Sequence, residues 1–333
     1  MSNQHSEFET QDAQKTPSLP SRMVQAVIES FKDSIPVSLS MYRVMIPIII
    51  GVKILMILDL IQYIALPLEP IMHLVGLPAD LGLAWATGMA VNIYSGLMVF
   101  AALVPTMEPL TAGQASIFAL MLLIAHSLLV EGKIAQQCGV KMLPQIIIRV
   151  LSAIVAGLLV HWTLLATGWL SEPATLAWTP EPSDPNLLKW AFNEAINLFC
   201  LFWIIFGLMI LKHVMDFFNV TSFLNALLRP VMRLLAIGPN AATITVLGIC
   251  MGLIYGSGLI IREVQKGTLC QRDIFSSITL MGLAHALVED TLLMTLIGGQ
   301  IPITLGVRLL FSLVCVGIMS RFITRRQARV ISN

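Results

Sequence analysis

Between Tyr42 and Ile323 the chain runs in apolar stretches separated by short polar or Gly/Pro-rich loops. Each stretch approaches or exceeds the roughly 20 residues that an α-helix needs to cross a bilayer. Four of them precede the acidic, proline-rich segment "SEPATLAWTPEPSDPNLLKW" (171–190), and four follow it. The pattern predicts an all-α polytopic membrane protein. Ahead of it, residues 1–21 are polar and lack the charged, apolar, small-residue order of a signal peptide, so they are expected to form a disordered cytoplasmic tail. Val24, Val27, Ile28 and Phe31 then fall at helical spacing opposite charged residues, which predicts an amphipathic helix over 22–40 lying on the membrane surface. A plain cytoplasmic helix has the same spacing.

Shifting the chain by 159 residues lays "AHSLLVEGKIAQQCG" (125–139) on "AHALVEDTLLMTLIG" (284–298). His126 falls on His285, Glu131 on Asp290 and, without a gap, Arg149 on Arg308. Upstream, "IYSG" (93–96) meets "IYGSG" (254–258), and "EPIMHLVGLP" (69–78) meets "RPVMRLLAIGP" (229–239). Matches of Leu and Gly carry no weight in apolar sequence, but the shared His, acid and Arg do. The chain divides into two copies of one unit, residues 41–170 and 195–323, joined by a linker at 171–194 and followed by a basic tail at 324–333.

The distribution of Lys and Arg predicts how the copies are oriented, because cytoplasmic loops are enriched in both. Residues 62–80 hold neither, whereas the corresponding region of the second copy holds Lys212, Arg229 and Arg233. Residues 105–115 carry no positive charge, but their counterpart carries Arg262, Lys266 and Arg272. Lys133, Lys141 and Arg149 stand opposite the uncharged "GGQIP" at 298–302. The copies are therefore expected to be inverted, with both termini cytoplasmic and the linker periplasmic in a bacterial inner membrane.

An inverted unit needs an odd number of crossings, so one stretch per copy must enter and leave on the same side. Residues 82–104 and 240–261 alone lie between loops of matching charge character. They also hold the helix breakers: Gly82, Gly88, Asn92, Ser95 and Gly96 in one; Gly248, Gly252, Gly256, Ser257 and Gly258 in the other. Bent backbone survives at membrane depth only inside protein or beside a water-filled cavity. The expected architecture is three transmembrane helices plus one re-entrant helical hairpin per repeat, six crossings in all. The alternative is eight transmembrane helices in two parallel repeats.

Composition narrows the chemistry. Of the 333 residues 56% are hydrophobic and 12% charged, with a mean hydropathy of +0.83, beyond the range of a soluble domain. Cys138, Cys200, Cys250, Cys270 and Cys315 are scattered and form no CxxC or Cys/His cluster. A net charge of +1 gives no reason to expect a nucleic-acid partner. There is no GxxxxGK[ST], HExxH or GxSxG, so neither nucleotide hydrolysis nor an enzyme is expected, and no cofactor.

Ionisable groups inside apolar stretches are costly and normally face the protein interior or a wet cavity. His126 and His285 are expected near mid-helix, with Glu289 four residues beyond His285 on the same helical face and Asp290 and Glu131 about 100° further round. These five groups are candidates for a substrate or coupling-ion site where the copies meet, with Asn92, Ser95, Gly96, Tyr255, Ser257 and Gly258 as hydrogen-bonding partners at the helix breaks. A purely structural account competes with this. In it Arg149 and Arg308 each neutralise the acid of their own copy, and the small residues only allow close helix packing. Lys212 and Asp216, at the end of the counterpart of the first crossing, have the i,i+4 spacing of a simple surface pair, whereas Lys53 and Asp59 inside the first crossing are i,i+6 and leave Lys53 without a role in either account.

The paired units, their Gly/Ser-broken stretches and the "AHSLLVE" and "AHALVED" helices resemble the nucleoside-recognition, or Gate, domain family of bacterial membrane proteins. That family includes the spore-maturation membrane proteins and the membrane half of ferrous-iron transporter B, and is similar to the core of concentrative nucleoside transporters. The resemblance implies an inverted-repeat transport core with re-entrant hairpins and a polar or ionic substrate. The expected function is a gradient-driven, proton-coupled transporter of a small polar, nucleoside-like solute, with the lipid bilayer as surroundings and a homo-oligomer compatible with the sequence. One alternative is a divalent metal-ion permease with His126, Glu131, His285 and Glu289 as ligands. The other is a membrane partner subunit that transports nothing.

Overall fold

A computed structural model describes residues 19–331 except 59, 61, 62, 64, 65, 179–185 and 236; the side chains of 19–23, 216, 221, 251, 254, 255 and 323–331 lie outside the description as well. The N-terminal tail up to residue 18, the acid of the Lys53–Asp59 pair, the Asp216 and Tyr255 side chains and the side chains of the basic tail therefore fall outside the described residues.

The first half consists of α1 (Leu19–Ile57), α2 (Glu69–Leu74), α3 (Leu81–Ala90), α4 (Ile93–Leu103), α5 (Ala112–Ile124), α6 (Leu128–Gln137) and α7 (Met142–Thr167). The second half has α8 (Leu187–Phe217), α9 (Val220–Leu234), α10 (Pro239–Met251), α11 (Leu253–Gln265), α12 (Gln271–Ala284), α13 (Glu289–Thr295) and α14 (Arg308–Ile331), the last entered through a wide turn at Pro302–Val307. The order of elements repeats: a long helix, a short one, two short helices packed on each other, a broken helix, and a long helix. Among the described residues six helices are long and apolar enough to cross a membrane, namely Val24–Ile57, Ala112–Gln137, Met142–Thr167, Leu187–Met215, Gln271–Thr295 and Pro302–Phe322. The protein is membrane-embedded and all-helical among its described residues.

Burial sorts these spans into core and periphery. In Ala112–Gln137 and Gln271–Thr295, 78% of the most apolar window is buried, against 22% in the first span and 17% in Leu187–Met215. The two broken helices are thus the centre, and the long helices leave apolar faces outward, such as Phe199 and Trp203 on α8, which lipid can cover.

α1 and α8 pack with contacts that run in opposite senses. Ser30 meets His213, Tyr42 donates a hydrogen bond to the Leu198 carbonyl, and the Lys53 ammonium lies 5.5 Å from the centroid of the Trp190 ring. Moving up one helix therefore means moving down the other, so these corresponding helices are antiparallel. A cation–π contact of this kind gives Lys53 a place at membrane depth.

Two boundaries differ from the sequence expectation. The separate amphipathic helix over 22–40 is instead the start of a continuous 39-residue α1 that passes through Pro36 and Pro47. Its N-terminal part is held against α8 by edge-to-face contacts of Phe31 with Phe202 and Phe206, so the lost proline hydrogen bonds do not end the helix. The second half begins at Leu187 and not at 195. The start of the linker is tied down: Ala112 N–H donates to Glu172 O, Ala174 N–H to Leu110 O, and both Ala177 and Trp178 N–H to Leu296 O.

Candidate functional site

Each central helix breaks where its histidine stands. α5 ends at Ile124, Ser127 turns left-handed at φ 50°, and α6 restarts at Leu128. α12 ends at Ala284, Ala286 turns left-handed at φ 44°, and α13 restarts at Glu289. A non-glycine residue in that region is strained, by about 1–2 kcal/mol, and persists only where surrounding contacts over-determine it.

Those contacts are visible, and they balance the broken backbone. In the first break, Ser127 N–H donates to the Gly88 carbonyl of α3; in the second, Leu287 N–H donates to the Ile249 carbonyl of α10. The freed carbonyls are met by side chains. His126 Nδ1 lies 3.0 Å from Leu122 O, and His285 Nδ1 lies 2.8 Å from Met281 O, each imidazole capping its own helix four residues back. Arg149 Nε donates to Ile124 O at 2.9 Å and Arg308 Nε to Leu283 O at 3.0 Å, a reach of 25 residues in both cases. Arg308 Nη2 also donates to His285 O at 2.9 Å and, across to the other half, to Leu123 O at 3.2 Å. Lipid supplies no such partners, so a broken span requires them from the protein.

The breaks bring the two histidines together. His126 Nε2 and His285 Nε2 are 3.1 Å apart, and Glu131 Oε1 lies 3.5 Å from the first and 3.4 Å from the second. Glu131 Oε2 forms an ion pair with Arg149 Nη1. Asp290 completes the group: with the two histidines it presents ligand atoms within 4.8 Å of one another, and its Oδ2 is buried without a hydrogen-bond partner. All six residues, the two arginines included, are buried. Beside Glu131 and Arg149 lies a cavity of about 10 Å³, the size that holds a single water.

The remaining predicted residues divide. Glu289 is not in the group of ligand atoms that the histidines form with Asp290, because the chain turns at Ala286 and the helical face assumed for it does not exist; the charge that acts on it is that of Lys212 on α8. The mid-helix placement of His126 and His285 is corrected in the same way. The expected arginine pairing holds for Arg149 with Glu131, while Arg308 spends its hydrogen bonds on three carbonyls and makes no hydrogen bond to Asp290 among those described. Asn92 caps α4 by accepting from Ser95 N–H at 2.8 Å, and Ser95 Oγ is buried without a partner. Ser257 is buried, and its carbonyl accepts from the thiol of Cys138, the residue that follows α6. Gly96 packs on Gly88, and Gly258 is exposed with nothing within 4 Å of a would-be Cβ.

Sequence reasoning passed over Tyr94, which is close enough for its phenol to feel the charges of Asp290 and Glu289. The signal was present, since "IYSG" aligns Tyr94 with Tyr255. It also missed the buried bond from Gln145 Nε2 to Thr279 Oγ1 (2.9 Å), which ties α7 to α12.

No protein-family model and no solved structure matches the chain. It is similar to a Bacillus subtilis (strain 168) protein named uncharacterized membrane protein YvoD, 25% identical over 260 residues, which is 77% of this chain and 81% of that one. That likeness agrees with a membrane protein.

Proposed function

We propose that the chain is a gradient-driven transporter of a small polar solute in a bacterial inner membrane, built from two halves inserted in opposite senses, with the His126–His285–Glu131–Asp290 cluster as its cation-binding centre. The observation that carries this reading is the 3.1 Å contact between corresponding histidines of the two halves, each standing at a break in a buried helix. Transporters of inverted-repeat design place their sites at such breaks, where the halves meet. A structural protein needs no pair of mutually facing ring nitrogens at its centre.

Three observations support oppositely inserted halves. Corresponding helices α1 and α8 are antiparallel, as judged from their contacts. The loop charges alternate in the sense that the positive-inside rule requires. Corresponding side chains also reach across equivalently, Arg308 to the Leu123 carbonyl and Arg149 against Gly282. In this reading α3–α4 and α10–α11 are the re-entrant hairpins. The resemblance to the Gate family points to a nucleoside-like solute and a proton or another cation as the driving ion.

The sidedness is tested in a cysteine-free background. With a membrane-impermeant maleimide, His73→Cys is expected to label on intact cells and Ser222→Cys only after permeabilisation; labelling of both from one side overturns the inverted arrangement. Transport is tested in proteoliposomes with an imposed cation gradient and radiolabelled nucleosides. Uptake by the unaltered protein is expected to fall at least tenfold, about 1.4 kcal/mol, in Glu131→Gln and His285→Ala. Uptake that persists unchanged in both variants removes the cluster from the mechanism.

A further inference from the structure

The cluster holds more acceptors than hydrogen bonding can account for. A carbonyl oxygen only accepts, so the contacts with Leu122 O and Met281 O fix a hydrogen on Nδ1 of both imidazoles. In neutral rings both Nε2 atoms then carry lone pairs, and these face each other at 3.1 Å with the Glu131 Oε1 acceptor 3.4 and 3.5 Å away. Three lone-pair atoms at such distances repel unless a positive centre stands among them.

The triangle has the dimensions of a metal coordination face. Sides of 3.1, 3.4 and 3.5 Å leave a point close to 2 Å from all three atoms, and zinc binds imidazole nitrogen at about 2.0–2.1 Å and carboxylate oxygen at about 2.0–2.2 Å. A tetrahedron with such bonds has edges of about 3.3 Å. An independent observation supplies a fourth donor: Asp290 Oδ2 is buried with no hydrogen-bond partner, and Asp290 offers a ligand atom within 4.8 Å of those of both histidines. The surroundings fit as well. Metal-binding histidines typically donate the other ring N–H to a carbonyl or carboxylate, as both do here, and Arg149 holds Glu131 by the oxygen that faces away from the histidines.

We propose that His126, His285, Glu131 and Asp290 form a binding site for a divalent transition-metal ion of the zinc type. Two imidazoles and two carboxylates suit such an ion, and magnesium or calcium prefer oxygen ligands alone. Arg149 pairs with Glu131 and the charge of Arg308 acts on Asp290, so the ion brings uncompensated charge into a buried place. The affinity is therefore lower than that of a structural zinc site, as a coupling or permeating ion requires. The proposal rests on reading the cluster as a cation-binding centre, but equilibrium binding can be measured whether or not the protein transports.

The purified full-length protein, stripped with a chelator in detergent, is titrated with Co²⁺ as a coloured probe and then with Zn²⁺. One Co²⁺ per chain is expected, with the visible bands of a tetrahedral ion, displaced by Zn²⁺, together with a Zn²⁺-dependent rise in the thermal midpoint. Asp290→Asn and His285→Gln keep the hydrogen-bonding shape of the site and are expected to bind at least about 100-fold more weakly, since loss of an outer-shell partner alone costs about 10–100-fold. Absence of both bands and thermal shift in the unaltered protein overturns the proposal and leaves a shared proton as the occupant. Binding that survives unchanged in both variants also overturns it, by assigning the ion to exposed histidines such as His73. Flux without metal binding removes this site but not the transporter, and binding without flux does the reverse.

Discussion

Arg308→Leu is expected to cost about 3–5 kcal/mol of folding free energy, the scale of breaking a buried charge network on one side. The guanidinium is fully buried and donates to the carbonyls of Leu283, Leu123 and His285. Removing it strands three backbone acceptors at the centre of the protein and withdraws the positive charge nearest Asp290. Arg308→Lys is expected to recover little, because one ammonium on a flexible stem cannot fork across carbonyls that belong to two halves of the chain. The measurement is the loss of folded protein with temperature or denaturant in detergent, compared with Ser312→Ala one turn along α14, whose hydroxyl only bonds back to Arg308 O. A midpoint for Arg308→Leu equal to that of Ser312→Ala would show that the helix breaks do not depend on this side chain.

The same residues show how much could be read in advance. The offset of 159 residues already matched His126 with His285 and Arg149 with Arg308, and loop charges with helix breakers reduced eight apolar stretches to six expected crossings, the number of long apolar helices among the described residues. The breaks were not legible. "AHSLLVE" and "AHALVED" contain neither Gly nor Pro, the residues that usually punctuate a helix. What opens the backbone there is tertiary: hairpin carbonyls at Gly88 and Ile249, and arginines 25 residues downstream. A helical wheel drawn through His285 therefore selects Glu289, while the real chain turns and delivers Asp290. The breaks between the paired short helices were legible from Asn92, which caps α4, and from Gly252, which takes a φ of 99° between α10 and α11, because there the cause lies in the residues themselves.

Glycines within these short helices set the second large effect. Gly256→Ala is expected to destabilise the protein by about 1–3 kcal/mol or more, the range for forcing a methyl group into a packed interior. A Cβ at 256 would lie 2.6 Å from Gly248 Cα, 2.7 Å from Met281 Sδ and 3.2 Å from Gly248 N. The methionine can move, but backbone cannot, so α10 and α11 must separate. At the corresponding place in the first half, a Cβ at Gly96 would lie 3.0 Å from Gly88 Cα and 3.1 Å from Ala84 O, a milder conflict, so Gly96→Ala is expected to cost less. Gly258→Ala has no neighbour within 4 Å and should be neutral or stabilising by up to about 1 kcal/mol through helix propensity alone. The consequence reaches the cluster from two sides. α10 supplies the Ile249 carbonyl that holds the second break, and α11 meets α6, the helix of Glu131, through Ser257 O and Cys138. Thermal midpoints should therefore fall in the order Gly258→Ala, Gly96→Ala, Gly256→Ala, and Co²⁺ affinity should follow that order. Equal midpoints for the three variants would mean that the hairpin helices do not cross as closely as 2.6 Å implies, and that the second break is held by His285 and Arg308 without α10.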